Sequence, residues 1–313
     1  MRFSQTVNKI LLPLKGYLLT SLALILISPL SASSAEIAIF KSQDLRPYND
    51  SAKAFARQIG GKIDTYDMEG DMEKGKQIAH SIVASHPRLI VAIGTKASIA
   101  ASDATSSIPI ISLLVSRPEI YLHGKKNVAG ISLNPDPREQ FHLLRQLYPA
   151  IGTIGVVYDA NNRSQELKDG RKAAAGNYEL IEETVSSEPE TPAAIRKALE
   201  EAEALWLVMD EKVITEQSLR YIITVSVEQR RPVIGFSKSM VKSGALFSIY
   251  TEFDDIGEQG AEMAKRILAG EDAETISFAY PRPSGYALNL RAAKLIGLSV
   301  PASVIKKAGE VYE

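Results

Sequence analysis

The sequence predicts an α/β protein of two similar lobes, each built on a parallel sheet, with a ligand cleft between them. Three observations predict it. Short, continuous apolar runs alternate with amphipathic helical segments, as in βαβ units. The same alternation is written twice along the chain. Between the two copies, a strand followed by a strongly capped helix marks where the chain crosses from one lobe to the other.

In the first copy, "EIAIF" (36–40), "KIDTYDM" (62–68), "RLIVAIG" (88–94) and "IPIISLLV" (108–115) read as strands. Their continuous apolar character suits parallel strands covered on both faces. "YNDSAKAFARQI" (48–59), ended by Gly60-Gly61, and "DMEKGKQIAHSIVAS" (71–85), closed by Pro87, read as helices. In the second copy the strands are "TIGVVYD" (153–159), "NYELIEETV" (177–185), "ALWLVMD" (204–210) and "RPVIGFS" (231–237). "TPAAIRKALEEA" (191–202) and "TEQSLRYIITVSVEQR" (215–230) are the clearest helices between them. The crossing is expected at "NVAGISL" (127–133), ahead of a helix running to Pro149. Asp136 suits its N-cap, Pro137 its first position, and Glu139 a capping box. A further helix, "DDIGEQGAEMAKRILAG" (254–270), stops at Gly270. The tail from 286 adds a strand and one or two short helices. The expected division is 36–132 with about 250–281 as lobe 1 and 133–249 as lobe 2; pattern alone does not assign 282–313.

Residues 1–35 stand apart. Arg2, Lys9 and Lys15 precede the apolar "YLLTSLALILISPL" (17–30), and "SASSA" (31–35) supplies small residues before a cut after Ala35. The apolar run falls short of the ~20 residues of a spanning helix. The reading is therefore a cleaved secretory signal and a periplasmic product. The chain has no cysteine, which excludes disulfides, thiol chemistry and a lipid-carrying cysteine. Without the leader, 33 basic residues face 37 acidic ones, a net charge of −4 that suggests neither nucleic acid nor an anionic membrane as partner. The four histidines are scattered without metal-ligand spacing, and GxSxG, Walker and GxGxxG signatures are absent, so no metal, cofactor or catalytic residue is expected.

Ligands of parallel sheets sit beyond the carboxyl ends of the strands, which selects the candidate residues. "IGTKAS" (93–98) turns a strand into a helix: Gly94 turns the chain, Thr95 is placed to cap, and Ala97 and Ser98 leave room for an anion on the helix's first amides. The same residues also fit an ordinary turn and cap. Asp210, ending "ALWLVMD", suits either a ligand ammonium or an N-cap. Ser42, Asp44 and Tyr48 follow the first strand, Tyr48 as a stacking surface. Ser116 and Arg117 follow the fourth. Asn161 and Asn162 and, further on, Ser237 take comparable places in the second lobe. Trp206 lies inside an apolar strand and reads as core, and Asp254-Asp255 as a helix start.

"LIVAIGTKAS" (89–98), "IPIISLLVSRPE" (108–119), "NVAGISLNPDPREQFHLLRQLYP" (127–149) and "GALFSIYTEFDDIGEQGAEMAKRILAGE" (244–271), in this order and spacing, resemble the tryptophan/tyrosine-type substrate-binding proteins of ABC transporters. The resemblance implies a type I periplasmic binding protein: two Rossmann-like lobes joined by crossover strands, closing on a small ligand and delivering it, as a monomer, to an inner-membrane permease with its ATPase. It implies that Thr95, Ala97 and Ser98 serve a ligand carboxylate and Asp210 its amine. It departs at the charged "SRPEIYLHGKK" (116–126). A periplasmic sensor subunit docking on a membrane receptor, or an exported enzyme using Asp44 or Asp210, would share the fold.

Overall fold

A computed structural model describes residues 36–162 and 164–313; the leader expected at 1–35 lies outside them. The first lobe begins β1 (Ile37–Lys41), α1 (Arg46–Ile59), β2 (Ile63–Asp67), α2 (Met72–Ala84), β3 (Leu89–Ile93), α3 (Thr95–Ala104), β4 (Ile110–Val115), α4 (Pro118–Tyr121) and β5 (Val128–Ser132). The chain then crosses. The second lobe runs α5 (Pro137–Leu147), β6 (Thr153–Asp159), α6 (Gln165–Ala174), β7 (Glu179–Val185), α7 (Thr191–Glu201), β8 (Ala204–Trp206), α8 (Glu216–Glu228), β9 (Val233–Gly235), α9 (Lys238–Ser243) and β10 (Phe247–Tyr250). A second crossing returns to α10 (Phe253–Leu268), α11 (Ala273–Ile276) and β11 (Phe278–Ala279). A third leads to β12 (Gly285–Asn289), α12 (Leu290–Leu295), α13 (Ala302–Lys307) and β13 (Glu310–Tyr312).

Two sheets result, ordered β11-β5-β4-β3-β1-β2 and β13-β12-β10-β9-β8-β6-β7. All pairings are parallel except β10 with β12. Side-chain alternation sends each apolar run to two cores. Ile37, Ile39, Val91, Ile93 and Ile111 pack under α1 and α10, while Ala38, Phe40, Ile90, Ala92 and Ile110 pack under α2 and α3. The second sheet does the same: Ile154, Val156 and Trp206 face α5, α6 and the tail, while Val157, Leu205 and Val233 face α7 and α8. This double cover explains the continuous apolar strands. The less apolar β2 and β7 are sheet edges.

Several local expectations are corrected. α1 starts at Arg46 rather than Tyr48, because Pro47 is accommodated in a first helical turn. The capping box expected at Asp136 and Glu139 gives way to a different arrangement: Asp136 accepts from the Arg138 amide and pairs with the Arg138 guanidinium. β8 ends at Trp206, short of the apolar run 204–210. The tail holds two strands rather than one, both in the second sheet. Trp206 is fully buried, as its sequence context indicates; its Nε1 donates to Gln140 Oε1 at 3.0 Å. α6 passes so close that a Cβ on Gly170 would lie 2.3 Å from the indole.

Candidate functional site

At the first-lobe strand ends, Ser42, Tyr48, Gly94, Thr95, Ala97 and Ser98 come together around the β3–α3 turn. Gly94 has φ +89°, and a Cβ there would lie 2.6 Å from Ser42 Oγ and 2.8 Å from the Tyr48 hydroxyl. Only glycine fits both the backbone and the space. Thr95 does not cap the helix. Gly94 is the N-cap and Thr95 the first helical residue, and the capping oxygen comes from the β1 loop: Ser42 Oγ accepts from the Ala97 amide at 3.0 Å. The Ser98 amide bonds Gly94 O. The first amides of a helix have no partner within it, so α3 itself leaves those of Thr95 and Lys96 unpaired. Ala97 is buried in the core, and Ser98 turns away from the strand ends, its hydroxyl on Gly94 O at 2.9 Å and 2.6 Å from Ser112 Oγ. Tyr48 is half-buried, and burial raises its phenol pKa. Asp44 is exposed. The Asn49 amide, 2.6 Å away, and the nearby Lys41 ammonium hold its carboxyl below the usual range.

In the second lobe, Asp210 is 3 % exposed and already occupied. Its carboxylate accepts from the amides of Asp159 (3.0 Å), Lys212 (3.1 Å) and Val213 (3.3 Å) and from Asn162 Nδ2 (2.9 Å). It thereby ties the β6 loop to the segment after β8, which accounts for an aspartate there without a ligand. Asn161 is exposed; its amide donates to Asp159, whose carboxyl is held low by that bond and by Lys212. Ser237 caps α9 by accepting from the Met240 amide and lies 2.9 Å from Ser239 Oγ.

The charged loop after β4 spans the lobes. Leu114 sits at φ +60° where the β4–β5 register shifts, a strained bend that delivers Ser116 and Arg117. Arg117 bonds Glu211 at 3.2 Å and Tyr121 at 3.1 Å, and Glu119 accepts from the Gln165 amide at 3.0 Å. Beneath this loop lies a cavity of about 530 Å³. Ser116, Pro118 and Glu119 wall it from the first lobe, Gln165, Glu166 and Asp169 of α6 from the second. Asn134 and Tyr280, on two of the crossings, also line it. Of the candidate ligand residues, its lining includes Ser116. Tyr280 donates to Asp169 at 3.1 Å, and burial together with that carboxylate raises its pKa strongly.

Asn134 and Glu166 carry no signal in the sequence. Asn134 sits in a Pro-rich crossing, and a glutamate in a helix's first turn ordinarily complements the dipole at the surface. Here Glu166 is fully buried. Asn134 Nδ2 donates to its Oε2 at 2.6 Å, yet burial overrides that bond and the Met209 amide and pushes the carboxyl up to about 8. Among the described residues, Asn134 Oδ1 and Glu166 Oε1 have no hydrogen-bond partner.

Two sheets joined by three crossings, with a cavity walled by the loop after β4, by α6 and by two of the crossings, define a two-lobed, type I periplasmic binding protein fold. The comparisons agree. The ABC domain from Streptococcus pneumoniae in complex with L-Trp has a TM-score of 0.62 and 22% identity, covering 89% of this chain and 100% of that one. The ligand-free, open structure of a substrate-binding protein with adhesive properties from Clostridium difficile has a TM-score of 0.69 at 22% identity, covering 88% and 98%. A tyrosine-binding protein of Clostridioides difficile (strain R20291) is 29% identical over 224 residues, 69% of this chain; the match spans 64% of that relative's length. The sequence model of the ABC transporter substrate binding protein family matches residues 57–312. The chain belongs to that family.

Proposed function

We propose that this protein captures a small solute between its lobes and hands it to an ABC importer, without chemistry of its own. The observation that carries the reading is the cavity walled by both lobes and by two of their crossings. A solute held there favours the approach of the two walls. The relatives' names point to an aromatic amino acid. The first amides of α3, on Thr95 and Lys96, suit its carboxylate, with Gly94 giving backbone access and Tyr48 beside it; this turn lies outside the lining of the cavity, which Ser116 after the neighbouring strand joins. Ser42, Ala97 and Ser98 fix the α3 turn from behind. Asp210, Asn161 and Ser237 shape the facing loops, and Asp44 stays at the rim. The lobe division follows the sheets: roughly 36–133 with 252–280, and 134–250 with 284–313. Export through the leader, a periplasmic location, a monomeric state and a permease partner complete the proposal.

The test is direct. Protein purified without ligand addition is denatured and the released small molecules are identified by mass spectrometry; the stripped, refolded protein is then melted with each amino acid. A true solute at 100 times its Kd stabilises the folded state by about 2.7 kcal/mol. A panel of amino acids and organic acids that leaves the melting curve unmoved contradicts the proposal.

A further inference from the structure

We propose that Asn134 Oδ1 and Glu166 Oε1 form an ammonium-binding subsite of the interlobe cavity, where the solute's primary amine is held. This deepens the solute-binding reading and rests on it for the identity of the solute. Both residues line the cavity, both are more than nine-tenths buried, and each holds one oxygen that is shielded from solvent and without a hydrogen-bond partner, so the amine reaches the pair only as the cavity walls adjust around it. Once Glu166 is ionised, the two oxygens are buried acceptors without donors, and they call for one. An ammonium supplies three, and its charge matches the surrounding wall.

Two acids stand on the elements packed against Glu166, and one of them, Asp169, is paired with Lys172. α4 brings Glu119, α6 itself brings Asp169, and the third crossing brings Tyr280 with its hydroxyl on Asp169. Asp136, on the first crossing, is paired with Arg138. The cations that line the far end are neutralised locally: Lys125 pairs with Asp103 and Lys126 with Glu274, leaving His123. Asp210, the other acid near this wall, has its oxygens occupied by its own loops. The geometry thus assigns the amine to the Asn134–Glu166 pair and gives Asp210 the task of holding the loop.

A protonated Glu166 must release its proton to pair with an ammonium. With the carboxyl near pH 8 in the free protein, binding of a cationic amine expels about one proton at pH 7. Affinity then rises about tenfold per pH unit from 6 towards 8 and levels off above.

The experiment is calorimetric titration of the ligand-stripped protein with L-tyrosine, L-tryptophan, tyramine and 3-phenylpropionate. It is run at pH 6, 7 and 8.5 and in two buffers of different ionisation enthalpy. The proposal expects the amine-bearing probes to bind with proton release and the stated pH slope. It expects Glu166→Gln to lose at least tenfold affinity for them at pH 8.5 and to abolish the slope. Amino acids that bind wild type and Glu166→Gln alike, or bind without releasing a proton, overturn the subsite but leave solute capture standing. Tyramine binding lost in Glu166→Gln, with no amino acid bound, keeps the subsite and overturns the amino-acid reading. Binding of 3-phenylpropionate alone, or of no probe, overturns the subsite. The proton count uses the wild-type protein, so the test survives a variant that fails to fold.

Discussion

Gly94, Asp210 and Glu166 show three ways in which one residue shapes this site. Gly94→Ala places a methyl against Ser42 and Tyr48 at a left-handed φ; we expect a loss of about 1–3 kcal/mol in urea unfolding, with weakened solute binding. Asp210→Ala removes the acceptor of three amides and of Asn162 Nδ2, costing about 2–4 kcal/mol of stability. An Asp210→Ala protein as stable as wild type would remove the loop-holding role. Glu166 affects pH dependence. Its folded-state pKa of about 8 lies above the ordinary value of 4.5, so the folded state binds more protons between those values. Stability from this group is complete below about pH 4.5 and falls by up to about 1.4 kcal/mol per unit as pH rises to 8. Glu166→Gln removes that decline, and unfolding at pH 5 and pH 8 compares the two slopes. Equal slopes in both proteins would show that Glu166 ionises as an exposed carboxyl does. The Gly94 turn was legible because a glycine at a strand end has a steric reason. The Asn134–Glu166 pair was not, because burial of a glutamate is decided by what a distant loop places over it.

At the scale of elements, strands read well and partners poorly. The fully covered β1, β3, β4 and β5 are the uninterrupted apolar runs of the sequence. The packing of α1 on α10 is invisible to periodicity, since some two hundred residues separate them. It depends on Gly257, where a Cβ would lie 2.2 Å from Ser51 O and 3.0 Å from the Ala54 Cβ. Gly257→Ala should cost about 1–3 kcal/mol by forcing the helices apart; a melting temperature equal to wild type would contradict so close a contact. The tail escaped assignment for a related reason. β13 is three residues long, and antiparallel β12 is fixed to β10 by ladder bonds rather than by a pattern of its own. The crossings are also braided: Ser284 bonds Tyr250 O and the Glu252 amide, and Thr251 bonds Arg282 O. Two strands tied in this way would bend together as one hinge.

Across the whole molecule, the lobes are joined by three crossings and by a few polar contacts around the cavity. Arg117–Glu211 is the most exposed of these, with the Glu211 side chain 84 % accessible. Solvent screening leaves such a pair worth no more than about 1 kcal/mol. Arg117→Ala should therefore leave global stability almost unchanged while altering how readily the lobes part. The contacts made by Glu119 and Tyr280 are of similar kind. A molecule built this way has cores that resist deformation and a junction that yields.

The absence of cysteine makes that junction measurable, since labels go only where they are put. Spin labels on Arg46→Cys in the first lobe and Lys242→Cys in the second report the interlobe separation by pulsed electron resonance. Capture between the lobes predicts that saturating solute shifts the distance distribution to a new, narrower separation. An unchanged distribution in the presence of solute shown by calorimetry to be bound would contradict it.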